Sequence, residues 1–260
     1  MSSFDVRIEQ IHTFIFLLTR CSGLFLFTPF LGNFLIPLPA RILLSFALSY
    51  LFSLSAPVQM IKVPLTMSAL LPGLAGELAV GMVIGFAAHM VFAGLQFAGH
   101  LISLQIGLSF VNTVDPQTSN RSTTFSIYEN FLGMMLFLGF NGHHWFIEAI
   151  GKSLFLLPPY SMRFSGEFIK QTIEVLGSVF VIGFQVSAPV VAILILTDTV
   201  LGIIGRNAPQ IHIWIIGAPI KVLVGLSAMG FTLYFLPTAL RGFSAQLYRE
   251  LNVLLHLMRA

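Results

Sequence analysis

Apolar residues run through this chain in long stretches, each ended by prolines or by a short polar segment. A membrane-crossing helix needs about 20 mostly apolar residues, and by that measure the pattern predicts about six helices. They cover residues 11–31, 40–55, 65–104, 125–156, 173–205 and 211–236. The second is short for a span and three others are long, which points to tilt, kinks or burial against other protein. Pro37 and Pro39, Pro57 and Pro64, Pro158 and Pro159, and Pro209 mark the breaks. Pro189 and Asn141-Gly142 fall inside the fifth and fourth stretches. Both predict kinks or re-entrant tips, tolerated where neighbouring protein re-satisfies the freed backbone groups. The fold class that follows is all-α integral membrane, with long, kinked hydrophobic helices.

Two patterns refine that picture. Gly73, Gly76, Gly81, Gly85, Ala88, Gly94 and Gly99 recur at helical spacing through the third stretch. Small residues so placed let helix backbones approach closely where lipid removes the hydrophobic drive to associate. The stripe reads equally as internal packing and as a docking face for other chains. Beyond residue 236 the pattern changes: Leu240, Phe243, Leu247, Leu251 and Leu254 recur with Arg241, Arg249, Glu250 and Arg259 between them. That predicts a separate amphipathic helix at a membrane surface or against a partner.

Composition agrees. Hydrophobic residues make up 56% of the 260 positions and charged residues 9%, whereas a soluble domain carries about 25% charged residues to solvate its surface. A net charge of +3 is too small for a nucleic-acid footprint. Cys21 is the one cysteine, which rules out an internal disulfide and reads as a small buried residue. The first stretch lacks the basic start and small-residue cleavage site of a signal peptide and is read as a retained helix. Arg7, Lys62, Lys152, Arg163, Lys170, Arg241, Arg249 and Arg259 fall on one side of a six-helix topology, against Arg41, Arg121 and Arg206 on the other. The positive-inside rule then places both termini in the cytoplasm.

Ionisable groups inside apolar stretches are costly and require a reason. Glu77, Asp198 and Lys221 are such groups. They read either as a proton or ion relay or as interhelical salt bridges that fix packing and subunit register. The salt-bridge reading is simpler, because a relay usually shows more ionisable groups along one path. His143, His144 and Glu148 invite a metal check, but neither the three ligands of a catalytic zinc nor the zincin spacing is met. No metal, cofactor or catalytic residue is expected, and the chain is not read as an enzyme. The longest polar segment, 105–124, opens with Ile106, Leu108, Phe110 and Val111 and turns at Asp115-Pro116. On its residues alone it is a solvated connector first and a pore-obstructing loop second.

Several blocks, in order along nearly the whole chain, resemble the FliR family of flagellar type III export-gate proteins, whose injectisome counterparts are SctT and SpaR. They are Leu38-Pro39-Ala40-Arg41, the run from Gly76-Glu77 to Phe86, Gln105-Ile106-Gly107-Leu108 with Asn112-Thr113-Val114-Asp115-Pro116, and Asn141-Gly142-His143. The most specific runs from Leu201 through Arg206, Asn207, Pro209 and Gln210 to His212, then from Gly217 through Lys221 to Gly225. The family often has Asn-Val-Phe after Pro-Gln, where this chain has Ile211-His212-Ile213.

The resemblance implies a non-enzymatic subunit of a protein-export pore in the bacterial inner membrane, at the flagellar basal body. It implies helical hairpins, with a FliP-like part over 1–167 and a FliQ-like hairpin over 168–260. One copy would join several FliP and FliQ chains, with FlhB and FlhA nearby, membrane lipid around them and unfolded substrates in transit. The loop matching 106–122 is implied to plug the closed pore through Ile106, Gly107, Leu108, Phe110, Asn112, Asp115 and Pro116. Glu77, Arg206, Gln210 and Lys221 are expected at subunit contacts. The runner-up is a secondary transporter with a midplane site near Glu77, Asp198 and Pro189.

Overall fold

The computed structural model describes residues 3–28, 37–55, 67–107, 124–158, 160–162, 165–208, 210 and 212–259. Seven helices occupy them: α1 (Ser3–Phe27), α2 (Leu38–Ser55), α3 (Met67–Ile106), α4 (Thr124–Gly139), α5 (Gly142–Leu156), α6 (Gly166–Asn207) and α7 (Ile213–Leu257). The chain is all-α, as expected, but the helix count and two boundaries differ from the sequence reading. The predicted fourth stretch is two helices. Asn141 adopts a left-handed backbone, φ 57°, which asparagine tolerates better than most residues, and the helix restarts at Gly142. The predicted amphipathic tail is not separate. α7 continues through Pro219 and Pro237, and Leu240, Leu251 and Leu254 of the tail's apolar face are buried within this chain. α6 likewise continues through Pro189, so no re-entrant tip forms there. Each proline removes one backbone donor, and in an apolar setting the remaining intrahelical bonds outweigh that loss.

Among the described residues four helices are long and apolar enough to cross a membrane, over Gln10–Phe27, Leu70–Ile106, Gly166–Asn207 and Ile215–Leu257. α3, α6 and α7 have 40, 42 and 45 residues. At 1.5 Å per residue they measure about 60 to 68 Å along their axes, against about 30 Å of hydrocarbon in a bilayer. The chain divides into two compact units, the first Met1–Met90, Asn141–Val175 and Gln246–Ala260, the second Val91–Phe140 and Leu176–Ala245.

In the first unit α1 and α3 pack backbone to backbone. A methyl group built on Gly81 would stand 2.0 Å from the Arg20 carbonyl oxygen, one on Gly85 2.5 Å from that of Leu24, and one on Gly23 2.4 Å from that of Leu78. Gly81 and Gly85 of the small-residue stripe are thus internal packing. Its last two members, Gly94 and Gly99, are in the second unit, where Gly94 faces Ile182 and Gly99 is buried. There α6 and α7 run antiparallel: Asp198 meets Lys221, Leu194 meets Gly225, and Val190 and Ala228 share one apolar cluster.

Candidate functional site

Two embedded polar clusters stand out, one in each unit. In the first, Arg20 shares the buried face of α1 with Leu17, Cys21 and Leu24 and is 1% exposed, while Glu77 on α3 is 3% exposed. Helical spacing puts all four α1 residues on one side. The guanidinium grips the carboxylate with two bonds, Nε to Oε2 at 2.6 Å and Nη2 to Oε1 at 3.0 Å. Nη1 also donates to the Ser153 hydroxyl at 3.0 Å, and Nη2 to the Leu157 carbonyl at 2.8 Å. Both charges are therefore paired and hydrogen-bonded, the condition under which a buried ion pair is tolerated. The cluster ties α1, α3 and the end of α5 together.

A cavity of about 400 Å3 opens beside this pair, lined in part by Pro72, Gly73, Gly76, Tyr160 and Met162. Tyr160 has φ 68°, a left-handed backbone unusual for an aromatic residue. Its ring rests where a side chain on Gly73 would lie, and packs on Phe16 at 5.5 Å between centroids. Burial raises the Tyr160 hydroxyl above the usual phenol range, and the negative charge of Glu77 adds to that.

In the second unit the last turn of α3 is docked on the α6–α7 hairpin. Asp198 Oδ2 accepts from Gln105 Nε2 and from Lys221 Nζ, both at 3.1 Å, and Lys221 also reaches Oδ1 at 2.9 Å. Beneath this triad Ile102 and Ile106 pack with Val190, Leu194 and Ala228. A side chain on Gly225 would meet Ile106 at 2.6 Å, so Gly225 forms the slot that Ile106 fills. α3 then stops at Gly107, whose φ of +93° is readily available only to glycine. Its N–H donates to the carbonyls of Ser103 and Leu104 and satisfies groups at the helix end.

Of the residues expected in the gating loop, Ile106 is buried in this seam and Gly107 caps the helix; Leu108, Phe110, Asn112, Asp115 and Pro116 lie outside the described residues. Of the expected contact residues, Arg206 is exposed in the last turn of α6, where its charge complements the helix dipole, and Gln210 is exposed in the turn that follows. Glu77 and Lys221 are each held by a partner within this chain. Glu77 and Asp198 thus have separate counter-ions, Arg20 and Lys221. The His143 and His144 rings meet edge to face at 4.4 Å between centroids. Glu148 instead receives Lys152 at 2.9 Å and the Tyr248 hydroxyl at 2.8 Å. These two donors, Lys152 first, hold the Glu148 carboxyl below its ordinary range, and bonds to Tyr248 and Glu148 raise Lys152. Among the described residues no three His, Cys, Asp or Glu side chains converge as a metal site would require.

Arg20 is the member of this buried cluster that the sequence reading overlooked. The signal was present, since it is the one Asp, Glu, Lys or Arg within 11–31, and an unexplained cation there demands a partner.

Comparison with known proteins fits this architecture. Residues 11–247 match the family model of bacterial export proteins, family 1. The flagellar biosynthetic protein FliR of Caulobacter vibrioides is 29% identical over 226 residues, 86% of this chain and 89% of the relative. FliR of Pectobacterium carotovorum is 30% identical over 69% of this chain and 67% of its own. FliR of Bacillus subtilis is 34% identical over 57% and 58%. With 237 consecutive positions matched, 11 to 247 inclusive, the chain belongs to the bacterial export proteins, family 1, the family represented among these relatives by FliR.

Proposed function

We propose that the chain is a non-enzymatic subunit of the flagellar protein export gate, seated in the bacterial inner membrane at the basal body. Its relatives are flagellar biosynthetic proteins, and its composition and helices are those of a membrane-associated protein. The observation that carries the finer reading is the bare apolar surface of α6 and α7. Only 28% and 22% of their apolar windows are buried within the chain, although each helix is about twice as long as a bilayer's hydrocarbon core is thick. Lipid can cover about half of such a helix. The remainder calls for neighbouring subunits, and the partners of this reading are FliP-, FliQ-, FlhB- and FlhA-type chains. In it, residues 1–167 form the FliP-like part and 168–260 the FliQ-like part, a division that the antiparallel α6–α7 hairpin supports.

The segment 106–122 is assigned the plug of the resting pore, through which unfolded export substrates pass when it opens. Deleting Gly107–Thr118 is expected to raise the resting ion leak of cells carrying the assembled gate, with the complex still recoverable. Unchanged conductance in such cells would contradict the plug.

A further inference from the structure

α2 is built the reverse way round from a helix in water. It packs on α1, and its inward side carries Arg41, Ser45, Leu48, Ser49 and Phe52, of which the two serines are fully buried. Ser49 meets the buried Cys21 of α1. The large apolar residues point the other way: Leu38, Ile42, Leu43, Phe46, Leu51 and Leu54 are each more than half exposed. We propose that this outward face of α2 is where the chain meets lipid, seated in the hydrocarbon of the bilayer, while neighbouring subunits cover α6 and α7. The inference rests on the membrane seating of the proposed function and says which element lipid touches.

Four observations select lipid over a partner chain. The first is the width of the face. Positions 42, 43, 44, 46, 47, 50, 51 and 54 are exposed, and at 3.6 residues per turn they span roughly 200° of the helix circumference. One packed helix covers a stripe about 100° wide, whereas fluid acyl chains cover the whole arc. The second is side-chain size. Helices associate within lipid through small residues that let backbones come close, and α2 has no glycine. α6 and α7 differ here: Gly177, Gly202, Gly230 and Gly242 are exposed, with nothing within 4 Å of an added methyl group among the described residues. The third is length. The 18 residues of α2 measure about 27 Å, close to the about 30 Å of a bilayer's hydrocarbon. The fourth is polar bookkeeping within the helix. The Ser45, Ser49 and Ser53 hydroxyls donate to the carbonyls of Arg41, Ser45 and Tyr50 at 2.9, 2.6 and 2.7 Å. Even the exposed Ser53 therefore needs no outside acceptor, as a medium without hydrogen-bonding partners requires. Arg41, the one charged residue of α2, lies in its first turn on the inward side.

The test is spin-label accessibility in the assembled gate, the full chain with its partners reconstituted in vesicles of phosphatidylethanolamine and phosphatidylglycerol. L43C, L51C and L54C are made singly in a C21A background and labelled, with L196C on α6 and L223C on α7 for comparison; all five positions are exposed within the chain. Oxygen concentrates in hydrocarbon, and a charged nickel chelate stays in water. The inference predicts normal assembly, an oxygen accessibility several-fold above the nickel accessibility at the three α2 sites, and low access to both reagents at Leu196 and Leu223. Low access to both at α2 would mean that protein covers it, and strong relaxation by nickel that water does; either overturns the lipid contact. A lipid signature at Leu196 and Leu223 as well would sink the subunit coverage of α6 and α7 and leave α2 standing. Water at all five sites would sink the membrane seating together with the inference. I42C replaces any α2 variant that fails to assemble, and loss of assembly at all four α2 positions would mark the face as a protein contact and overturn the inference.

Discussion

Replacing Arg20 by methionine is expected to lower the stability of the chain by about 3 to 5 kcal/mol, the usual cost of stranding one half of a buried ion pair. Glu77, 3% exposed, would lose the cation beside it, and the Ser153 hydroxyl and Leu157 carbonyl would each lose a donor. The complementary change is more informative. R20M combined with E77L removes both charges and fills the site with apolar atoms of similar volume, and such replacements are often neutral or stabilising. Thermal unfolding of the detergent-solubilised chain should therefore show a large drop for R20M, a comparable one for E77L, and recovery of most of it in the double variant. If the double variant equals the sum of the singles, the two side chains do not act as a pair.

Gly81→Val should be nearly as damaging, for a steric reason. The first side-chain atom would be placed 2.0 Å from the Arg20 carbonyl oxygen, less than any real contact, and that atom belongs to a backbone that cannot swing aside. α1 and α3 must separate, and Glu77, one helical turn before Gly81, must then move away from Arg20. Overpacking typically costs about 1 to 3 kcal/mol, and loss of the 2.6 Å ion pair adds to it. Gly230→Ala is the matched control, since among the described residues nothing lies within 4 Å of a methyl group there and alanine is the better helix former. The expected order of unfolding midpoints is Gly81→Val well below the parent and Gly230→Ala at or above it. Equal midpoints for the two variants would show that α1 and α3 do not approach closely at Gly81.

How much of this was legible in the sequence follows from what each signal measures. The helical membrane class was legible because span length and a 9% charged fraction are whole-chain properties that no local packing can reverse. The break at Asn141 was legible because Asn-Gly carries its own backbone preference. The continuity of α7 through Pro237 was not. A proline's penalty is local and visible in the sequence, while the burial of Leu240, Leu251 and Leu254 that accompanies the continuous helix is set by distant residues. The glycine stripe announced close helix contact without saying with which helix; Gly81 and Gly85 turn out to face α1 of the same chain. The pairing of Asp198 with Lys221 was among the readings the sequence allowed. That of Glu77 with Arg20 was not read, although Arg20 is the one Asp, Glu, Lys or Arg within 11–31 and so required a partner. Gln105 was read as part of a loop. Only its distance to Asp198 reveals it as the third member of a cluster.

The central claim is that the bare apolar faces of α6 and α7 are covered by other subunits of an export gate. Its most direct test is to purify the tagged full-length chain from cells that also express the FliP- and FliQ-type proteins of the same bacterium and to weigh the product by native mass spectrometry in detergent. The account predicts a stable assembly with one copy of this chain and several copies of each partner. A chain that emerges alone or as a homo-oligomer while those partners are present would contradict it.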